Sequence, residues 1–332
     1  MSAPIDPALL DRPFAIEGPE DFNALALDLF RLHAAHNPVY RGFLSGLGDR
    51  AAKVERWEDI PCLPIGLFRS HSVLLEGLKP AVTFTSSGTT GATTSSHHVP
   101  WPDLYERSFT TGFERVFGEQ RHLVIATLLP GYQERTGSSL VYMMEKLIAT
   151  HGHSGSGTFL HDHEALHRLL SVPEPTGWTL LVGVPYALLD FMERFPGPYP
   201  NLFLVETGGM KGRRAELVRE ELHSLLKTGF GVPRVFSEYG MTELLSQAWS
   251  SGFGKYDCPP WMQVRIRDVN DPFAQLPRGR TGGIDVFDLC NIGSCPFIAT
   301  QDLGRIDEDG DFEVLGRFDN SDMRGCNLLV EN

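Results

Sequence analysis

The sequence lacks the long basic runs and long apolar runs that mark two large classes of protein. It carries 29 Lys and Arg against 42 Asp and Glu, which gives a formal net charge of −13. Proteins that bind a nucleic-acid backbone need clustered basic residues, so binding to DNA or RNA is not expected. No stretch approaches the roughly 20 apolar residues of a membrane helix. The first 14 residues also lack the basic head and apolar run of a signal peptide, so we expect a cytoplasmic protein without membrane insertion.

Cysteine is scarce, with five residues that are widely spaced along the chain. Only Cys290 and Cys295 lie near each other, and no second pair of Cys or His residues completes a zinc pattern. An odd number of scattered cysteines favours reduced thiols over a disulfide framework. His161, Asp162 and His163 form a second weak metal candidate, since so short a cluster on a loop is more often ordinary surface.

Strand-like and helix-like segments alternate through the middle of the chain. Helical patterns are predicted at residues 19–36, 138–151, 186–194 and 213–227, and short apolar strands at 123–129, 179–184, 202–205 and 234–236. Such alternation predicts a parallel sheet with helices on both faces. Ligands of these sheets bind beyond the carboxyl ends of the strands, which is where the unusual polar motifs of this sequence fall.

Beyond Cys258 the pattern changes to short strands separated by Gly, Pro, Asn and Asp. The predicted strands lie at 263–269, 283–289, 297–300 and 312–315. This spacing indicates a mostly antiparallel β region. We therefore expect an α/β region at 1–258 and a smaller β-rich subdomain at 259–332.

A loop rich in hydroxyls and glycines is the most informative stretch. It runs Thr85-Ser86-Ser87-Gly88-Thr89-Thr90-Gly91. Glycines allow a tight turn that presents backbone N–H groups, and the hydroxyls can donate to phosphate oxygens. It is not a Walker A loop, because Ala92 follows where that motif has Lys and Ser or Thr. The alternative is a flexible linker.

A second motif, Ser237-Glu238-Tyr239-Gly240-Met241-Thr242-Glu243, follows a short strand. An acid and a hydroxyl after a Gly turn could hold a magnesium ion and a phosphate oxygen, while Tyr239 offers a flat face to a base. The alternative is an ordinary loop in which Thr242 caps a helix.

A third motif places Asp302 in the segment 300–305, and Arg317 follows in the segment 315–319. The paired acceptors of a carboxylate can bind both hydroxyls of a ribose. The alternative is a pair of β-turns with Asp and Gly at their usual positions.

Together, in this order, the three motifs resemble the adenylate-forming superfamily, which includes acyl-CoA synthetases and peptide-synthetase adenylation domains. The resemblance implies the N-domain fold of that superfamily and the cofactors ATP and Mg²⁺. It implies Mg²⁺ at Glu243, ribose at Asp302 and adenine stacked on Tyr239. The remaining nucleotide contacts that it implies are Thr85, Ser86, Ser87, Gly88, Thr89, Thr90, Gly91, Gly208, Gly209, Gly240, Thr242 and Arg317. The sequence departs from the family at the lysine that often follows the loop, where Thr93, Thr94, Ser95 and Ser96 stand instead.

A closer resemblance is to the luminescence-type acyl-protein synthetases, through the segments 60–65, 68–71, 130–140 and 208–211 and the terminal Arg324-Gly325-Cys326. It implies that Cys326 takes the acyl group as a thioester. Because the sequence ends at Asn332, we expect the C-terminal lobe of the superfamily, with its catalytic lysine, to be absent. Lys211 is then a candidate for the missing positive charge. The alternatives are a small apolar role for Cys326 in a terminal strand and a surface role for Lys211.

These observations predict an ATP-dependent acyl-protein synthetase that activates a long-chain fatty acid as acyl-AMP and transfers it to a cysteine thiol. The expected walls of the acyl pocket are Ser138, Ser139, Tyr142 and Met143. The expected partners are the carboxylic acid substrate and either an acyl-CoA reductase or an acyl-acceptor protein. Two alternatives stay open: an AMP-forming acyl-CoA ligase, and a non-catalytic nucleotide-binding subunit of a reductase or acyltransferase.

Overall fold

The structure is a computed structural model that describes residues 5–48, 53–86, 94–118, 122–129, 136–172, 177–208 and 217–317. The α-helices of these residues are α1 (Pro19–His36), α2 (Pro38–Leu47), α3 (Pro102–Phe117), α4 (Ser139–His151), α5 (His163–Ser171), α6 (Pro185–Arg194) and α7 (Arg219–Phe230). The strands are β1 (Leu63–Pro64), β2 (Val82–Thr85), β3 (Ser96–Val99), β4 (Leu123–Leu128), β5 (Gly157–Thr158), β6 (Trp178–Gly183), β7 (Leu202–Thr207), β8 (Phe236–Tyr239), β9 (Ala248–Ser250), β10 (Lys255–Tyr256), β11 (Met262–Arg267), β12 (Gly282–Asp288), β13 (Phe297–Ile306) and β14 (Phe312–Arg317).

The chain divides into two compact units. The α/β unit comprises the described residues of Pro80–Pro259, and the β-rich unit comprises those of Met1–Lys79 and Pro260–Asn332. The sequence had placed the first 79 residues with the α/β region, and the structure corrects that assignment. The reason is a long-range pairing: β1 lies parallel to β13, and His33 of α1 hydrogen-bonds to the carbonyl of Ile292.

A six-stranded sheet organises the α/β unit in the order β5-β4-β6-β7-β8-β9. The first five strands pair in parallel, and β9 is antiparallel to β8. All six residues of β4 are buried, as expected for a parallel strand covered on both faces. In the strand order of this sheet, the chain moves from β4 to β5 toward one edge. It moves from β6 to β7 and then to β8 toward the opposite edge. Right-handed crossovers therefore put α4 on one face and α6 and α7 on the opposite face, which confirms the predicted fold class.

This change of direction creates a topological switch point between β4 and β6. In open α/β sheets, the crevice beyond the carboxyl ends of such strands is where ligands bind. The segment that follows β4 leads to Ser138, whose hydroxyl caps α4 by accepting a hydrogen bond from the Val141 amide. The fold thus directs the start of α4 to the ligand-binding edge of the sheet.

Local signals place most elements close to their predicted positions, and two are displaced. The predicted strand at 234–236 lies instead at Phe236–Tyr239. The helix predicted from residue 213 begins, within the described residues, at Arg219. The His161–His163 cluster was treated as a loop, but Asp162 caps α5 by accepting from the Ala165 amide at 2.9 Å. A capping role explains this polar cluster without a metal.

The β-rich unit has an antiparallel sheet in the order β14-β13-β12-β11. Asp285 of β12 is fully buried and forms an ion pair with Arg265 at 2.6 Å and another with Arg267 at 2.6 Å. Burial raises the pKa of Asp285, and the two guanidinium groups oppose that rise. Removal of any one of these three side chains would leave buried charge on the others without its partner. The triad therefore stabilises the fold of this unit.

Four cysteines lie in the described residues, and all four are free thiols. Burial raises the pKa of Cys295 to about 12 and also raises the pKa of Cys62, so neither is a ready thiolate. The predicted acyl carrier, Cys326, lies outside the described residues. Within the parts of the chain that the structure describes, no helix has the length and apolar character to cross a membrane.

Candidate active site

The strand pair β2–β3 closes on the hydroxyl and glycine loop. Thr85 of β2 and Ser96 of β3 form the residue pair next to the loop. Just beyond, the Ser86 amide donates to the Ser95 carbonyl at 3.1 Å, and the Ser95 amide donates to the Ser86 hydroxyl at 3.0 Å. Thr85 and Ser86 are therefore the described part of the predicted phosphate loop. The other predicted loop residues, Ser87, Gly88, Thr89, Thr90 and Gly91, lie outside the described residues.

Gly137 joins this hairpin to the start of α4. The Thr85 amide donates to the Gly137 carbonyl at 2.7 Å. Gly137 has a φ of +87°, and a Cβ built on it would lie only 2.8 Å from the Thr85 hydroxyl oxygen. A side chain at this position would be strained both by its backbone conformation and by that contact. The first motif and the predicted acyl-pocket segment are thus held side by side.

The second motif lies against the same hairpin. The Ser95 hydroxyl donates to the Glu243 carboxylate at 2.5 Å, and His97 Nδ1 donates to the Thr242 carbonyl at 2.8 Å. Ser95, His97 and Glu243 are all buried. Two motifs that were identified independently in the sequence are therefore neighbours in the α/β unit.

Tyr239 ends β8 at the carboxyl edge of the sheet, and Gly240 follows it. Tyr239 is buried, and its ring lies 6.0 Å from that of Tyr256 in an edge-on arrangement. A Cβ on Gly240 would come within 2.3 Å of a Glu238 carboxylate oxygen, so a side chain at this position would require the Glu238 carboxylate to shift.

Glu238 itself is a buried carboxyl that the sequence did not single out. It accepts a hydrogen bond from the hydroxyl of Thr207, which ends the neighbouring strand β7. Burial raises the pKa of Glu238 to about 7; the nearby charge of Glu206 adds to the rise, and the Thr207 hydrogen bond opposes it. Gly208 follows Thr207 with a φ of +78°. Gly209 and Lys211 lie outside the described residues.

The four residues predicted to line the acyl pocket occupy the first turns of α4. The Ser139 carbonyl accepts from the Tyr105 hydroxyl at 3.1 Å, and Met143 is buried. Tyr142 is half-buried and donates to Glu106, which also pairs with Lys146 at 2.8 Å. A separate cleft of about 270 Å³ lies between α3 and β9, at Gly112 and Trp249, and none of the four lines it. Their role as pocket walls stays a prediction.

The third motif lies in the β-rich unit. Asp302 and Arg317 are cross-strand partners on β13 and β14, and Arg317 Nε lies 3.3 Å from Asp302 Oδ1. The Asp302 amide donates a hydrogen bond to the Thr300 hydroxyl oxygen at 3.1 Å. Asp302, predicted to bind the ribose, and Arg317, predicted as a further nucleotide contact, are therefore adjacent.

Glu243 has the chemistry that a magnesium ion requires. Magnesium in nucleotide sites is bound through one or two carboxylates together with substrate phosphates, and does not need a cage of protein ligands. Among the described residues there is no group of three or more His, Cys, Asp or Glu that could form such a cage. The chemistry of Glu243, a single carboxylate, fits Mg²⁺ bound together with substrate phosphates, and its role as the magnesium ligand stays a prediction.

Sequence reasoning missed Ser95, His97, Thr207 and Glu238. His97 is fully buried and His98 half-buried. The signal was present in the alternation of a strand, because residues 95 and 97 share one side and residues 96 and 98 the other. Nothing local marked Glu238, since its burial depends on β7.

Known proteins resemble this chain in structure but not in sequence. No protein-family model matches the chain, and no curated protein matches it. A 2-hydroxyisobutyryl-CoA ligase in complex with 2-HIB-AMP and CoA matches with a TM-score of 0.66 at 12% identity, covering 91% of this chain and 75% of the ligase. ATP-bound MatB from Rhodopseudomonas palustris matches with a TM-score of 0.54 at 19% identity, covering 71% of this chain.

A third match is the luciferase-like enzyme of the nonluminescent mealworm Zophobas morio, with a TM-score of 0.52 at 15% identity, covering 73% of this chain and 58% of that enzyme. The chain spans about half of MatB, 47% of its length. These neighbours are enzymes of the adenylate-forming class. The chain therefore has the fold of the N-terminal part of adenylate-forming enzymes, as its motifs predicted.

Proposed function

We propose that this chain activates a carboxylic acid with ATP to form an acyl-adenylate. The observation that carries the proposal is the bond between Ser95 and Glu243, which holds the hairpin of the hydroxyl loop against the second motif. The second motif follows β8 of the six-stranded sheet, whose switch point favours ligand binding at its carboxyl edge, and the hairpin is a separate two-stranded sheet.

In the first step, a carboxylate oxygen of the acid attacks the α-phosphorus of ATP, and the bond from that phosphorus to pyrophosphate breaks. The amides and hydroxyls of residues 85–91 and the Thr242 hydroxyl receive the phosphates, with Tyr239, Gly240, Gly208 and Gly209 around the base. Preorganised donors of this kind stabilise charge that develops during the reaction. Mg²⁺ bound at Glu243 would supply further neutralisation of phosphate charge. We assign Lys211 as a cation that also neutralises phosphate charge. We assign Asp302 and Arg317 as the pair that holds the ribose.

In the second step, a thiolate sulfur attacks the acyl carbonyl carbon and AMP leaves with the bonding electrons. We assign this thiol to Cys326 and the acid to the long-chain fatty acids, on the resemblance of the terminal Arg324-Gly325-Cys326 to acyl-protein synthetases. A cation near a cysteine lowers the pKa of its thiol, so Arg324 is placed in the sequence to activate it. The thioester would then pass to an acyl-CoA reductase or another acyl-acceptor protein.

A second candidate function is an AMP-forming acyl-CoA ligase, in which the attacking thiol belongs to coenzyme A. It is favoured by the similarity to a CoA ligase whose complex contains both 2-HIB-AMP and CoA and which covers 91% of this chain. The two candidates share the first step. Incubation with ATP, acid and CoA distinguishes them, because free acyl-CoA forms without any partner protein only in the second.

The test of the proposed function is ATP–pyrophosphate exchange with a panel of carboxylic acids of different chain length. Exchange that depends on one class of acid would support adenylation, and it would identify the substrate class at the same time. Glu243→Gln should reduce exchange strongly, because it removes the charge that would hold Mg²⁺. Binding of ATP without exchange for any acid would favour a non-catalytic nucleotide-binding subunit instead.

A further inference from the structure

We propose that Ser95 and His97 are positioning residues for magnesium-dependent ATP binding: Ser95 orients the Glu243 carboxylate, and His97 fixes the backbone turn that carries it. The inference rests on the proposed function and extends it to two residues that lie outside all three motifs. Each holds a different part of the second motif from the same strand pair. Neither is a catalytic residue, since both act through Thr242 and Glu243.

Ser95 is held rigidly where it meets Glu243. Its amide and its carbonyl both hydrogen-bond to Ser86, so its backbone is fixed at the mouth of the hairpin. Its side chain is only 2% exposed, and the 2.5 Å distance to Glu243 is typical of a hydroxyl that donates to a charged carboxylate. Such a bond selects one orientation of the carboxylate.

His97 acts on the backbone of the same motif. Because side chains two positions apart in a strand share one side, His97 faces the motif together with Ser95. Its Nδ1–H donates to the Thr242 carbonyl at 2.8 Å, and a carbonyl can only accept, so Nδ1 carries the proton. This bond fixes the peptide between Thr242 and Glu243. Residues behind a metal ligand commonly set its orientation in this way.

The alternate residues of the strand provide matched controls. Ser96 and His98 have the same chemistry but lie on the other side of β3. His98 is hydrogen-bonded through Nδ1 to the Thr83 hydroxyl at 3.0 Å, within its own strand pair. Substitutions at Ser96 and His98 therefore disturb the same strand without removing a contact to the second motif.

The experiment measures ATP binding by calorimetry, once with Mg²⁺ and once with EDTA, together with the melting temperature. For Ser95→Ala, we expect the affinity for ATP with Mg²⁺ to fall about tenfold or more, as is usual when the partner of a metal ligand is removed, and the affinity in EDTA to change less than about twofold. Ser96→Ala should keep the wild-type affinity under both conditions.

The His97 variants test the second contact and guard against misfolding of Ser95→Ala. His97→Leu removes the donor and should weaken only the magnesium-dependent binding. His97→Asn should restore it, because the Asn amide nitrogen can occupy the place of Nδ1. His98→Asn serves as the control for the opposite side of the strand.

The outcomes separate this inference from the proposed function. If the wild-type protein binds ATP more tightly with Mg²⁺ than with EDTA, and both Ser95→Ala and His97→Leu keep that difference, the positioning role is wrong and the proposed function stands. Equal weakening by Ser96→Ala and His98→Asn also overturns it, since the effect would then belong to the strand pair as a whole. A wild-type protein that binds no ATP under either condition overturns both.

Discussion

Thr207 donates a hydrogen bond to Glu238 across the neighbouring parallel strands β7 and β8, and both side chains are buried. The pair lies at the carboxyl edge of the sheet; Gly208 directly follows Thr207, and Gly240 lies two residues after Glu238. Burial and the charge of Glu206 raise the pKa of Glu238 to about 7 from an ordinary value of 4.5. A carboxyl whose pKa is raised in the folded state keeps its proton there up to a higher pH than in the unfolded chain. Its contribution to stability is therefore full below about pH 4.5 and is lost as the pH rises through 7.

Glu238→Gln should remove this pH dependence, because glutamine is neutral and can still bond to Thr207. We expect the variant to gain stability relative to the wild type as the pH rises from 4.5 to 7, by up to ~3 kcal/mol. Urea unfolding at several pH values measures the difference. The exposed Glu308→Gln is the control and should show no such trend. A constant difference between Glu238→Gln and wild type at all pH values would contradict the prediction.

His33 should have the opposite effect to Glu238, because its contribution to stability is lost as the pH falls. It is fully buried, hydrogen-bonds to Ile292 and Asn37, and burial lowers its pKa to about 3 from 6.5. The unfolded chain takes up the proton first, so this contribution to stability is present above pH 6.5 and is lost as the pH falls toward 3. His33→Gln should flatten the stability curve in that window, by up to ~4 kcal/mol. Parallel curves for the two proteins between pH 6.5 and 3.5 would show the prediction to be wrong.

The buried triad of the β-rich unit should be intolerant of losing its acid. Asp285→Asn leaves Arg265 and Arg267 with uncompensated buried charge, which is expected to cost about 3–5 kcal/mol of unfolding free energy. The ion pair of Arg305 and Glu313 is more exposed, with 45% of the arginine side chain accessible. Glu313→Gln should therefore cost less than about 1 kcal/mol. Chemical denaturation of both variants gives the comparison, and similar losses would argue against a special role for the triad.

Cys326→Ser should separate the two proposed steps. Adenylation does not use the thiol, so ATP–pyrophosphate exchange should stay at the wild-type level. Covalent labelling by a radiolabelled fatty acid should disappear, because a serine hydroxyl is a far weaker nucleophile than a thiolate. Cys258→Ser is the control and should keep the label. Labelling that survives in Cys326→Ser would remove the acceptor role from this residue.

The sequence predicted those elements whose local signals agree. The helix expected at 138–151 is α4 at Ser139–His151, because a serine caps its start and Gly152 follows its end. It missed α3, in which Thr110, Thr111 and Gly112 are poor helix formers, and packing against the sheet overrides their propensity. It displaced β8 because the strand continues through the polar residues Ser237 and Glu238. Those residues are held by β7 on one side and β9 on the other, which no local pattern records.

The sequence by itself determined the fold class and the identity and order of the three motifs, because hydrophobic periodicity and the chemistry of glycine, hydroxyl and acid are local properties. The tertiary structure alone decided that Ser95 meets Glu243, 148 positions away, and that Glu238 titrates near neutral pH. Strand order sets the first, and the loss of water around a carboxyl sets the second. Both arise only when distant segments pack together.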